Sequence, residues 1–199
     1  MANWFSRLRA VAVAAILGFS VASCGYNDIP TLEESAKAKW AEVENQYQRR
    51  ADLVPNLVET VKGYAKQEKD VLIAVTEARA KATSIHVDAN DLTDPAKVKQ
   101  LQDAQNALSG ALGRLLAVSE NYPDLKSNQN FLALQSQLEG TENRIAVARK
   151  DYIAAVQAYN TQLRTFPGVF WAATFFRANQ PMAEFNASEP AQNAPSVKF

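Results

Sequence analysis

"FLALQSQLEGTENRIAVARKDYIAAVQAYNTQLRTF", Phe131 to Phe166, decides the fold class of this chain. Its apolar and small residues alternate threes and fours: Phe131, Leu134, Leu138, Thr141, Ile145, Ala148, Tyr152, Ala155, Tyr159, Leu163 and Phe166. That alternation keeps one face of an α-helix apolar and follows the heptad period of helices packed lengthwise. A helix from Ser127 to Phe166 would reach about 60 Å at 1.5 Å per residue. Pro167 and Gly168 then stop it.

The same period runs upstream. Val98, Leu101, Leu108, Leu112, Leu115 and Tyr122 mark a third helix, opened by an Asp94 cap and Pro95 and stopped at Pro123. The polar stretch "TSIHVDANDLTD" leads into it. A second stripe comprises Leu57, Val58, Val61, Ala65, Leu72, Val75, Ala82 and Ile85, with Glu68 and Arg79 as polar interruptions. A first stripe runs Leu32, Ala36, Trp40, Val43, Tyr47, Ala51 and Val54. Thr31 and Glu34 fit a capping box. Glu33 and Glu34 at the start, with Arg49 and Arg50 at the end, complement the helix dipole. Pro55 lacks an amide hydrogen and disfavours helix at Val54, which predicts a break or kink. A reversal there is expected, because one rod from Thr31 to Ile85 would extend about 80 Å and leave its seam uncovered. No segment alternates like a half-buried strand. The expected fold is all-α, an antiparallel four-helix bundle.

The amino-terminal segment differs in kind. "MANWFSRLR" is short and positive, Ala10 to Val21 is apolar, and small residues follow at Ala22 and Ser23. That order is a secretory signal peptide, and twelve apolar residues fall short of the roughly 20 needed to span a bilayer. "VASC", ending at Cys24, resembles the bacterial lipobox. Its thiolate takes a diacylglyceryl group, and small neighbours let the backbone enter a peptidase cleft. The competing reading of Cys24 is an inert thiol in an uncleaved anchor. By resemblance to lipoprotein sorting, Gly25 in place of an aspartate favours the outer membrane over the inner. The chain carries 21 basic and 21 acidic groups; losing Arg7 and Arg9 with the leader leaves a charge near −2. That balance gives no electrostatic footprint for nucleic acid, and a single cysteine forms no internal disulfide.

"YQRRADLVPNLVETVKGYAKQEKDVL", "ENYPDLKSNQNF", "EGTENRIAVARKDY" and "YNTQLRTFPG" together resemble the LemA family, in the family's order, over about Tyr26 to Gly168. The resemblance implies a membrane-tethered antiparallel four-helix bundle in bacteria. It implies no established catalytic residue or cofactor. Many members appear with an uncleaved anchor, and "VASC" departs from them.

The remaining residues offer little chemistry. His86 lies in a polar connection without a cysteine partner or the Glu three residues before it that bundle metal sites use. No Gly-rich phosphate loop or histidine-backed nucleophile is present, so no catalytic, cofactor or metal residue is assigned. Arg49 and Arg50 beside the proline corner are candidate contacts for an anionic group or an acidic partner, or else they close a helix and pair with nearby acids. Phe170, Trp171, Phe175 and Phe176 are candidates for a membrane or partner contact, or else they seal the bundle end. The polar, Pro-containing stretch 181–199 is expected to be disordered.

The expected organisation is a signal peptide at 1–23, a lipidated tether at 24–30, a bundle at 31–168, an aromatic segment at 169–180 and the tail. The expected protein is a non-enzymatic scaffold or adaptor lipoprotein of the bacterial cell envelope, with a periplasmic bundle, a lipid anchor and an envelope protein partner. The alternative is a regulatory partner of a membrane protease or another envelope protein.

Overall fold

The computed structural model describes residues 25–185, and these form helices and connections with no strand among them. Two long helices set the frame: α1 (Asp28–Tyr64), and α5 (Gln129–Arg164). Between them come α2 (Lys69–Ser84), α3 (Pro95–Ser119) and the single turn α4 (Pro123–Lys126); α6 (Gly168–Thr174) follows α5. The long pair runs antiparallel along its whole length. Gln162 meets Asp28 at one end, Lys39 pairs with Asp151 at 3.2 Å, and Asn128 bonds Tyr64 at the other end.

The shorter pair covers only part of this frame. Arg79 of α2 reaches Ala51 of α1, Gln105 of α3 reaches Ala82 of α2, and Tyr122 bonds Glu68. One core therefore lies among Val54, Leu57, Val61, Leu72, Leu108, Leu115, Phe131 and Leu138. The other lies between the free halves of α1 and α5, around Ile29, Trp40, Tyr152 and Tyr159.

Local chemistry sets most boundaries. The Asp94 carboxylate accepts from the Ala96 and Lys97 amides, with Pro95 at the first helical position. Asn128 caps α5 by accepting from the Phe131 amide at 3.1 Å. The capping box at Thr31 does not form. The helix starts at Asp28, and the Thr31 amide donates to the Asn27 carbonyl as an interior residue does. Pro30 falls in the first turn, where its missing N–H leaves no intrahelical bond unmade. At the far end α5 stops at Arg164, and Phe166, expected on the seam, is 82% exposed.

Pro55 does not reverse the chain. It stands on the exposed side of a continuous α1, and the reversal comes at residues 65–68. The missing N–H of Pro55 orphans the carbonyl of Ala51, four residues back. Arg79 Nε donates to that carbonyl at 2.8 Å. The arginine that interrupts the second stripe thus replaces the bond that proline removes.

The tail also departs from expectation over 181–185, while 186–199 lie outside the described residues. Met182 and Phe185 are buried, and Phe185 stacks on Trp40 with ring centroids 5.7 Å apart. Side chains supply the backbone bonds that no helix provides. Asn160 bonds both the amide and the carbonyl of Met182, and the Tyr152 hydroxyl donates to the Ala183 carbonyl. The Ala183 amide donates to the Leu92 carbonyl, which ties the tail to the α2–α3 connection. Burial, and then the charge of Glu184, pushes the Tyr152 phenol above its ordinary range.

Two outcomes are expected. Arg79→Met should lower unfolding free energy by about 1–3 kcal/mol, the cost of an unmet buried carbonyl. The same change in a Pro55→Ala background should cost much less, because residue 55 then supplies the N–H; urea melts of the double-mutant cycle measure the difference. Phe185→Ala should cost about 3–5 kcal/mol in the same melts, as for a core aromatic; a cost near zero would show that the tail does not pack.

Candidate functional site

The arginine pair beside Pro55 splits. Arg49 is exposed, whereas Arg50 is 1% exposed and lies inside the bundle. Its Nη1 donates to Ser109 Oγ at 2.6 Å and to Glu142 Oε1 at 2.7 Å. Its Nη2 donates to Gln105 Oε1 at 2.5 Å and to the Gln105 carbonyl at 3.3 Å. Gln105 passes the network on to the Ala82 carbonyl. One guanidinium therefore ties α1 to α3 and α5, and through Gln105 to α2. Its planar fork is suited to several fixed acceptors at once. Arg50 is thus no surface contact for a partner; the heptad position that follows Tyr47 by three residues turns it inward. Tyr47 packs beneath it, 5.4 Å from ring centroid to guanidinium carbon, and burial pushes the Tyr47 phenol up.

His86 is exposed in the α2–α3 connection. No group of three or more metal-ligating side chains occurs among the described residues. A shallow groove of about 540 Å³ lies between the end of α1 and the start of α2. Val58, Leu72 and Ile73 line it, with Lys62, Lys66 and Lys69 around it.

The aromatic residues gather at the opposite end. Trp171 and Phe176 are half-buried, while Phe170 and Phe175 are 52% and 65% exposed. Tyr26 joins them, its ring centroid 5.6 Å from Trp171, 5.8 Å from Phe175 and 5.2 Å from Phe176. Such edge-on and tilted pairs are favourable aromatic geometries. Sequence reading missed Tyr26, Phe166 and Val169 as members of this end. Phe166 was counted into the helix seam, and Tyr26 carries no periodic signal before α1.

Gly25 sits against the same end. Its φ of +87° suits glycine, and a side chain there would meet Pro167 Cγ at 3.2 Å. Cys24 lies outside the described residues. No helix among the described residues is long and apolar enough to cross a membrane.

An all-helical bundle tied by buried polar bonds, with aromatics collected beside Gly25, defines the class of protein. The LemA family profile matches residues 39–199, and the chain belongs to the LemA family. It is 28% identical over 211 residues to magnetosome protein MamQ 2 of Paramagnetospirillum magneticum, covering 96% of this chain and 75% of that protein. MamQ of Magnetospirillum gryphiswaldense is 25% identical over 209 residues, covering 94% and 74% respectively. Protein LemA of Metamycoplasma hominis is 29% identical over 118 residues, covering 59% of this chain and 49% of its own. None of these is an enzyme name.

Arg50→Ala should lower unfolding free energy by about 3 kcal/mol, at the lower end for a broken buried ion pair because Glu142 reaches water. Arg50→Lys should recover little of it, lacking the fork. Arg49→Ala should stay within about 0.5 kcal/mol of the parent. Equal melts for Arg49→Ala and Arg50→Ala would contradict the assignment.

Proposed function

We propose that this LemA-family chain is a membrane-anchored, non-enzymatic scaffold or adaptor of the bacterial cell envelope. Cys24 carries the lipid, and the bundle stands on the periplasmic side, with the outer membrane favoured. The observation that supports this most directly is the position of Gly25. The apolar run and "VASC" join the bundle at its aromatic end rather than along its side. Arg50 and Arg79, the two arginines that reach into the bundle, are engaged in holding helices together. What remains for partners is outer surface.

An antiparallel bundle of four helices serves this role as a stiff spacer. At 37 residues, α1 is about 55 Å long. Likeness to proteins named for the magnetosome, over nearly the whole chain, is consistent with work at a membrane.

Metabolic labelling with a tagged palmitate tests the anchor. Cys24→Ser is expected to abolish labelling and to leave unprocessed precursor. Labelling that survives the substitution removes the lipoprotein reading. Crosslinking from membranes, with parent and anchorless chains compared, then tests the adaptor role: a neighbour captured only by the anchored form is expected.

A further inference from the structure

We infer that the aromatic end of the bundle is a second membrane contact, a footing that rests in the bilayer interface beside the lipid anchor. This rests on the membrane attachment proposed above, and it adds a surface to it.

The reach of the chain carries the inference. Consecutive Cα atoms are about 3.8 Å apart, so a lipid on Cys24 holds Gly25 within a residue of the bilayer surface. If the apolar run ending at Val21 stays as the anchor instead, four residues allow at most about 14 Å. Gly25 itself is fixed to the bundle end, against Pro167 and Gln162. The tether therefore keeps that end within about 14 Å of the bilayer on either reading of the anchor.

The surface brought down there has the composition of an interface. Nine large apolar residues are exposed among those described, and five of them are Tyr26, Phe166, Val169, Phe170 and Phe175. The other four, Tyr64, Ile73, Leu132 and Val147, lie on other elements. Arg164 and Arg177 are exposed and stand two residues from Phe166 and Phe175 in the sequence, and cations there suit anionic head groups. The Trp171 indole N–H is itself buried without an acceptor, so Trp171 lies beneath the exposed rings and reports on them from behind. Tyr26, 40% exposed, has the apolar body and polar tip that favour head-group depth. A few rings alone bind a membrane weakly. On a tethered molecule the second contact is intramolecular, and its effective concentration is set by a linker of only a few residues. Lipid is favoured over a second copy or a protein partner because the anchor delivers lipid to this end in every molecule.

The test uses the full lipidated chain in vesicles of phosphatidylethanolamine and phosphatidylglycerol, with and without acyl chains brominated near the carbonyl. A Trp4→Phe background removes any leader tryptophan, and comparison with Trp4→Phe/Trp171→Phe isolates the Trp171 emission from that of buried Trp40. The expected result is loss of the Trp171 share in brominated vesicles, with the Trp40 share unchanged. Phe166→Ser/Phe170→Ser/Phe175→Ser removes exposed rings together with the Phe170 and Phe175 pairings to Trp171 and Tyr26, so it should show a modest fall in melting temperature with the helical signal retained. It should still float with the vesicles while Trp171 escapes quenching. A chain that floats with Trp171 unquenched overturns the footing and leaves the anchor standing, as would happen if the rings covered residues 10–21, a second copy or a partner. Quenching that persists in the triple variant also overturns it. A chain that does not float at all overturns the membrane reading and this one together.

Discussion

Arg50 is the constraint around which the bundle is assembled. A guanidinium removed from water is costly unless its donors meet acceptors, and here both terminal nitrogens meet acceptors from separate helices, leaving only Nε without one. Ser109 and Gln105 fix the rotation of α3, Glu142 fixes the register of α5, and Gln105 extends the restraint to α2. Apolar seams alone permit helices to slide by a heptad with little change in burial. A charged group with four placed bonds does not permit it. The polar centre thus contributes geometric definition, and the apolar layers on either side contribute most of the burial.

This gives physical meaning to the sequence blocks that carry the family resemblance. "YQRRADLVPNL" supplies Arg50, Ala51 and Pro55; "EGTENRIAVARKDY" supplies Glu142. "ENYPDLKSNQNF" supplies Tyr122 and Asn128, which bond Glu68 and Tyr64 at the far end of the frame. These residues meet across helices, Arg50 and Glu142 at the bundle centre and Asn128 and Tyr64 at its exposed end. Much of what makes these stretches distinctive is therefore accounted for by assembly.

Helical periodicity made the apolar faces legible. Trp40, Val43, Tyr47, Ala51 and Val54, and then Phe131, Leu138, Ile145 and Tyr152, are all buried as the stripes require. Pro55 by itself signals a break, because the Arg79 bond that offsets its penalty depends on the fold. The apolar phase does continue through it, from Tyr47, Ala51 and Val54 to Leu57 and Val61, without a slip. That continuity was present in the sequence and outweighs one proline. Two other features were not accessible to periodicity at all. Met182 and Phe185 are isolated apolar residues in a polar stretch, and they are held by Asn160 and Tyr152, whose pairing depends on the fold. The aromatic end joins Tyr26 to residues about 145 positions away, a contact no local pattern encodes.

The uneven construction of the rod separates its two ends in kind. Around Leu57, Leu108 and Phe131 the core is enclosed by helices whose backbone bonds are internal. Around Trp40 and Tyr152 the cover is a connection and a tail, held by a few bonds such as Trp40 Nε1 to the Val87 carbonyl at 2.9 Å. Cover of this type opens at lower free energy than a helical core, because fewer contacts must break together. The less enclosed core is also the one adjoining the aromatic end, through Trp171 and Phe176. The aromatic end thus rests on the core whose cover includes a connection and a tail, and the Arg50 centre lies beyond it.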